Sequence, residues 1–161
     1  MRPIKEQTIL ITGVTSGLGR ELAQALAKQG ASLLLHGRDA GRGLETVRQI
    51  KEATGSDRIE LFCADLSSLR EVNDLAQAVL SRVTRLDVLV KMILEAGWQT
   101  MSTVEEGLNA TLRLVVDPEL ENVTGEFFDG LNLSKANAQA YDRNVQHRLA
   151  ALTRQLVSNL G

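Results

Sequence analysis

The residues best suited to chemistry form a glycine-rich segment near the start of the chain, Gly13-Val14-Thr15-Ser16-Gly17-Leu18-Gly19. An apolar run precedes it and a helical pattern of leucine and alanine follows it. Glycines allow a tight turn and let bare backbone approach a pyrophosphate, while a helix N-terminus presents unpaired N–H groups to the anion. The spacing is neither G-x-G-x-x-G nor a Walker A loop, so a turn without a ligand is the alternative. The strand–turn–helix context favours a nucleotide site, lined by Gly13, Thr15, Ser16, Gly17, Leu18 and Gly19.

Residues after the next two apolar runs bear on which nucleotide is bound. The second run ends in His36-Gly37-Arg38-Asp39. An arginine there accommodates the 2′-phosphate of NADP, whereas an acidic residue would hold the free 2′-hydroxyl of NAD. Arg38 therefore favours NADP, and its alternative is a solvated loop cation. Asp65 and Leu66 follow the third run and are expected near the adenine, although Asp65 also fits a helix N-terminal acid beside Ser67.

Strands and helices alternate through the first half of the chain. Short apolar runs predict strands at 8–13, 32–36, 59–64 and 86–90, and a helical stripe follows each of the first three. This alternation predicts an α/β fold with a parallel sheet and right-handed helical crossovers. Cys63, inside the third run, is expected to be a small buried apolar residue.

The second half is less regular. Thr103-Val104-Glu105-Glu106 is a capping box, and its helix should end before Asp117-Pro118. Residues 126–129 suggest a short last strand. From Ser134 onward a helical stripe predicts a C-terminal amphipathic helix, with apolar positions Ala138, Tyr141, Val145, Leu149, Leu152 and Leu156. We see no linker or repeat, so residues 1–161 are expected to form one domain, with a cofactor-binding half at 8–90 and a remainder at 91–161.

Composition argues against several other function classes. The 161 residues carry a net charge of −2, which gives no basic field for nucleic acid. Cys63 is the single cysteine, and the two histidines, His36 and His147, stand far apart, so neither a disulfide nor a metal site is expected. No apolar run reaches the roughly 18 residues that span a bilayer. The start lacks the apolar stretch of a secretory signal, and a cytoplasmic protein is expected.

Four segments, taken in order, resemble successive landmarks of the short-chain dehydrogenase/reductase family. They are Thr12–Gly19, His36–Asp39, Ala64–Ser67 and Leu86–Val90, and they are most similar to NADP-preferring, retinol-dehydrogenase-like members. Residues 103–129 and the helix after them are similar to the C-terminal part of those enzymes. The resemblance implies a Rossmann-like doubly wound parallel sheet. It also implies NADP(H)-dependent oxidation or reduction of small alcohol or carbonyl substrates.

The catalytic block of the resembled family is missing from this chain. That family uses a serine, a tyrosine with a lysine four residues later, and an Asn-Asn-Ala-Gly stretch after the fourth strand. Here Val90 is followed by Lys91-Met92-Ile93-Leu94, and Tyr141, the single tyrosine, is followed four residues later by Val145. Residues 95–100 resemble the stretch after the family's sixth strand, so about 80–100 residues are absent at about 30 residues per βαβ unit. No catalytic residue is assigned.

The missing block has structural and functional consequences. The sheet is expected to be truncated to about four to six strands, and the chain could self-associate through the uncovered sheet face. An internal deletion, alternative splicing or a mis-built gene model would each give this pattern. Three hypotheses follow: an NADP-dependent oxidoreductase by lineage with impaired catalysis, a non-catalytic dinucleotide-binding or regulatory module, and a remnant without function.

Overall fold

The computed structural model describes residues 2–92 and 103–158. The chain divides into two compact units, Met1–Glu121 and Asn122–Gly161. The expected single domain with halves at 8–90 and 91–161 stays a prediction.

The first unit alternates strands and helices as the sequence pattern predicts. Its elements are β1 (Thr8–Thr12), α1 (Gly17–Lys28), β2 (Ser32–Gly37), α2 (Ala40–Thr54), β3 (Ile59–Cys63), α3 (Leu69–Arg82), β4 (Val88–Lys91) and α4 (Val104–Val116). Short 3₁₀ turns lie at Ile4–Glu6 and Pro118–Leu120. The predicted capping box is formed: Thr103 Oγ1 accepts a hydrogen bond from Glu106 N, and the Glu106 carboxylate accepts one from Thr103 N.

The four strands of this unit form one parallel sheet in the order β3-β2-β1-β4. Ile9 of β1 pairs with Leu33 of β2 on one side and with Val88 of β4 on the other. The chain steps outward from β1 through β2 to β3, then crosses back to β4. This order confirms the α/β class and the Rossmann-like parallel sheet, with a strand number inside the expected range.

The main core lies on the face of the sheet that carries α1. Ile9, Ile11, Leu33 and Leu35 are almost fully buried there, and Leu22 and Leu26 of α1 pack on them. Val115 of α4 belongs to the same cluster, and Val88 and Val90 of β4 pack against it. Each fully buried aliphatic side chain contributes about 1.5–3 kcal/mol of transfer free energy.

The opposite face of the sheet is covered less completely. Leu10 and Leu34 are buried there against Val79 of α3. Leu89 of β4 is the register partner of Leu10 and so points to the same face, but its side chain is 60% exposed. In the described part of the chain, α3 therefore covers β1 and β2 but leaves β4 open.

Cys63 corrects one expectation about the core. It is exposed, not buried, although it lies in the predicted strand. Cys63 is the last residue of β3, which is an edge strand, and its register partner is Gly37, which has no side chain to cover it.

The second unit contains an antiparallel hairpin and a helix. β5 (Phe127–Asp129) pairs with β6 (Asn132–Ser134), a strand that the sequence pattern did not predict, across a turn at Gly130. The expected last strand is thus present, but it pairs within a hairpin and not with the parallel sheet. The C-terminal helix is present as α5 (Arg143–Ser158), which begins nine residues later than expected because Ala138–Tyr141 forms a 3₁₀ turn. The apolar positions of its stripe, Val145, Leu149, Leu152 and Leu156, are 41–65% exposed.

Candidate cofactor site

The glycine segment forms a tight turn between β1 and α1. Gly13 and Gly17 have φ angles of 72° and 55°, in the left-handed region that favours glycine. The N–H groups of Gly13 and Val14 both donate to the carbonyl oxygen of His36, at 2.9 and 3.2 Å. The start of the turn is therefore fixed to the carboxyl end of β2.

Two other glycines permit close packing around this turn. A Cβ on Gly19 would lie 2.5 Å from the carbonyl oxygen of Gly13, so only glycine lets α1 begin this close to the turn. A Cβ on Gly37 would lie 2.7 Å from Cγ2 of Thr15. The side chain of Leu18 packs toward α4, since a Cβ on Gly107 would lie 3.3 Å from it.

The N-terminus of α1 has the features of an anion site. Asp39, Ser68 and Thr103 cap α2, α3 and α4 with their side chains, whereas Ser16 makes no side-chain capping bond to α1. The first turn of α1 has no acidic residue of its own, and a helix N-terminus leaves N–H groups without intrahelical partners at its positive dipole end. A Cβ on Gly17 would meet nothing within 4 Å. This open space beside unpaired N–H groups fits a pyrophosphate.

The structure brings the predicted selectivity residues together at the carboxyl ends of β2 and β3. Hydrogen bonds from Ser67 hold the pKa of Asp65 below its ordinary value, and the nearby Arg38 guanidinium adds to this effect. Asp65 Oδ1 accepts bonds from Ser67 N and Oγ at 3.0 and 2.8 Å, in the loop before Ser68, which caps α3. Arg38 is exposed, and Leu66 is 40% exposed beside Asp65. All three can thus be reached by a ligand.

His36 is a residue of the site that sequence reasoning did not assign. Its side chain is only 4% exposed, and Nε2 lies 3.0 Å from the carbonyl oxygen of Ala64, the residue before Asp65. Nδ1 is buried and has no hydrogen-bond partner among the described residues. The ring therefore ties the segment after β3 to β2 and leaves one polar atom unpaired. In the sequence, a histidine at a strand end looks the same whether its ring is buried in this way or faces solvent.

The chain after β4 closes against the glycine turn. Met92 N donates to Thr12 Oγ1 at 3.2 Å, and a Cβ on Gly13 would lie 3.3 Å from Cβ of Met92. Lys91 pairs in register with Thr12 at the carboxyl edge of the sheet. Residues 93–102, which include the tryptophan stretch singled out from the sequence, lie outside the described residues.

No catalytic Tyr–Lys pair forms at this edge of the sheet within residues 2–92 and 103–121. Tyr141 belongs to the second unit, where its ring is 53% exposed and its hydroxyl accepts a hydrogen bond from Ala136 N at 2.9 Å. The described residues hold no cluster of three or more His, Cys, Asp or Glu side chains that could bind a metal. They also include no helix with the length and apolar character needed to cross a bilayer.

Known proteins resemble this chain over the same region. The family model for short chain dehydrogenase matches residues 7–127. A Streptomyces sp. (strain C5) protein, provisionally named daunorubicin C-13 ketoreductase DnrU, is 39% identical over 108 residues, covering 67% of this chain and 37% of that protein. Human dehydrogenase/reductase SDR family member 13 is 32% identical over 114 residues, covering 71% of this chain and 29% of that protein.

Solved structures agree with the sequence relatives. The structure of an actinorhodin polyketide ketoreductase with NADPH matches with a TM-score of 0.53 at 30% identity, covering 62% of this chain and 38% of that one. The matches thus cover well under half of the length of each of these three proteins. Because the family model covers most of the chain, and the parallel sheet and glycine turn have the corresponding fold, the chain belongs to the short-chain dehydrogenase family.

Proposed function

We propose that this chain binds NADP(H) at the carboxyl edge of the parallel sheet. The observation that carries the proposal is the N-terminus of α1, which has no side-chain cap and opens beside Gly17. Its N–H groups, together with the backbone of Gly13, Thr15, Ser16, Leu18 and Gly19, would hold the pyrophosphate. Asp65 and Leu66 would border the adenine.

The preference for NADP over NAD rests on Arg38 and Asp39. Asp39 Oδ1 accepts a hydrogen bond from Arg42 N at 2.8 Å, so this carboxylate serves as the cap of α2 and comes one residue after Arg38. Arg38 is exposed, and its guanidinium makes no hydrogen bond to the described residues. A guanidinium placed there would pair with a dianionic 2′-phosphate. The ketoreductase solved with NADPH is a relative that supports the same choice.

The chain descends from oxidoreductases, and we infer that its own turnover is impaired. A bound nicotinamide would supply hydride in its reduced form to a small carbonyl, or accept hydride in its oxidised form from an alcohol. Proton transfer to the substrate oxygen needs a placed acid, which contributes on the order of 10²–10⁴-fold in rate. Four residues after Tyr141 the chain has Val145, where the family has lysine. No residue of this chain is therefore assigned the role of proton donor.

The second candidate function is a non-catalytic dinucleotide-binding or regulatory module. It is favoured by the combination of a formed glycine turn and the missing serine and Tyr-x-x-x-Lys segment. The two candidates share the cofactor site and differ only in turnover. Cytoplasmic location also stays a prediction.

Calorimetric titration of the full chain with NADPH and NADH tests the proposal. We expect saturable NADPH binding that is tighter than NADH binding. Arg38→Ala should weaken NADPH binding by about 1.5 kcal/mol, which is about tenfold in affinity, because one charge-assisted contact to the 2′-phosphate is lost. The control is Arg48→Ala, which removes an exposed arginine of α2 that pairs with Glu45 and Glu52 and should leave binding unchanged. Absence of binding by a folded chain would overturn the proposal, and equal affinity for both dinucleotides would overturn the NADP preference.

A rate assay then separates the two candidate functions. NADPH oxidation is followed at 340 nm with a panel of small ketones and aldehydes, using chain already shown to bind NADPH. The module candidate gives no turnover above the uncatalysed rate. Turnover by this chain, with a KM for NADPH that rises about tenfold in Arg38→Ala, would instead establish a working oxidoreductase.

A further inference from the structure

The free edge of β4 is an unpaired strand edge with an unusual symmetry. β4 is the last strand in the order β3-β2-β1-β4, and no described residue pairs with its outer side. With the residue before it, the strand reads Asp87-Val88-Leu89-Val90-Lys91. Reversing this segment about Leu89 exchanges valine for valine and aspartate for lysine. Such a strand is complementary to a second copy of itself.

The backbone groups at this edge are arranged for the same pairing. Asp87 N donates to Thr8 O at 2.9 Å, so residues 87, 89 and 91 direct their backbone groups toward β1. Val88 and Val90 consequently direct their N–H and C=O groups outward. In an antiparallel pair centred on Leu89, Val88 of one copy lies opposite Val90 of the other. All four outward N–H and C=O groups of each strand would then form hydrogen bonds across the interface. A pair centred on Val88 or Val90 would use only half of these groups.

The side chains add apolar complementarity. Leu89 is 60% exposed on the face that α3 leaves open, and at the two-fold axis it would lie directly beside the Leu89 of the second copy. Lys91 is exposed and would lie opposite position 87 of the other copy. The Asp87 side chain is only 7% exposed and already accepts hydrogen bonds from Thr8 N and Arg85, so its charge is compensated within its own copy. The outward backbone groups and the Leu89 pair therefore carry the association.

We propose that two copies of this chain associate through their β4 edges, antiparallel and centred on Leu89, to form one continuous eight-stranded sheet. The interface is isologous, since each copy contributes the same strand to a two-fold axis. This inference is independent of cofactor binding and specifies which edge the self-association expected from the sequence would use.

Analytical ultracentrifugation over a concentration series tests the association. The full chain should sediment as a monomer–dimer equilibrium. Leu89→Lys should raise the dimer dissociation constant by about tenfold or more, because an apolar pair is replaced by two like charges at the axis. The control Leu80→Lys changes a leucine of α3 that is 68% exposed and should leave the equilibrium unchanged. A chain that stays monomeric at every concentration would overturn the proposal. That result would be expected if the chain's own residues covered the edge of β4.

A cross-linking experiment tests the register without depending on Leu89→Lys. In a background of Cys63→Ser, which removes the single cysteine, Leu89→Cys is compared with Leu80→Cys under mild oxidation. The axial pair would have a Cα–Cα separation of about 4.5 Å, within the range of disulfides. We expect rapid formation of a covalent dimer for Leu89→Cys only. Equal or absent cross-linking of the two variants would place the contact elsewhere and refute the β4 pairing.

Discussion

Replacing Gly17 by alanine separates a phosphate-binding turn from a merely structural one. Gly17 has φ +55° and its added Cβ would meet no protein atom within 4 Å. Gly17→Ala should therefore lower the free energy of unfolding only by the backbone strain of an L-residue in the left-handed region, about 1–2 kcal/mol. For a chain of this size that corresponds to a fall in Tm of roughly 2–8 °C. If the open space beside Gly17 receives the pyrophosphate, the same methyl group should also lower NADPH affinity, whereas backbone strain in a chain that stays folded should not.

Gly55 is a closely matched control for the strain. It ends α2 with φ +69°, and a Cβ there also meets nothing within 4 Å. Gly55→Ala should lower Tm by a similar amount and leave NADPH binding unchanged. Gly17→Asn is a second variant, since asparagine tolerates the left-handed region better than alanine but is larger. It should recover part of the stability while still blocking binding.

The assay is calorimetric titration with NADPH at a temperature where every variant is folded, checked by circular dichroism. We expect Gly17→Ala and Gly17→Asn to lower affinity by about tenfold or more, which is about 1.4 kcal/mol. Wild-type affinity in both Gly17 variants would refute the assignment of that space to the pyrophosphate. Equal loss of binding in Gly55→Ala would show that strain alone is responsible.

Two further predictions concern the segment after β3. His36→Phe should lower the free energy of unfolding by about 1–3 kcal/mol, because the carbonyl oxygen of Ala64 loses its hydrogen-bond partner, and it should also weaken NADPH binding through Asp65. Urea unfolding measures the first effect and calorimetry measures the second. Unchanged stability would contradict the role given to the ring. Since the folded pKa of Asp65 lies below its unfolded value, its contribution to stability is complete above about pH 5 and is lost as pH falls through the folded pKa. Ser67→Ala removes the hydroxyl bond but keeps the backbone N–H bond, which is the larger cause, so it should raise the pKa of Asp65 only part of the way toward its ordinary value. Carboxyl NMR titration measures this change, and an unmoved pKa would show that the Ser67 hydroxyl does not contribute.

The sequence predicted the first unit well because its elements have strong local signals. The apolar runs at β1 and β2 are continuous, as buried parallel strands require, and glycines bracket α1. The capping residue Thr103 marks the start of α4 correctly. These signals come from a few adjacent residues and do not depend on distant contacts.

The features that the sequence did not predict depend on long-range contacts or on a strand neighbour that has no side chain. Cys63 is exposed because its strand neighbour is Gly37, which a pattern within one strand does not reveal. His36 is buried because the chain after β3 folds over it, with Ala64 as its partner. β6 has little apolar character, and its pairing with β5 follows from the turn at Gly130. None of these features has a periodic signature.

The two faces of the sheet explain how a cofactor site can form while the catalytic block is missing. On the α1 face, α4 packs against α1, with Leu18 close to Gly107, and buries Val115 in the core beside β4. The helix that follows the shortened connection thus closes the face on which α1 and the glycine turn are supported. On the other face α3 is the one helix among the described residues of this unit, and Leu89 stays open. The loss of the block that the sequence predicts would therefore fall on the face and edge beyond β4. The turn that would bind the dinucleotide keeps its support, so cofactor binding and self-association can be tested separately, by Arg38 and by Leu89.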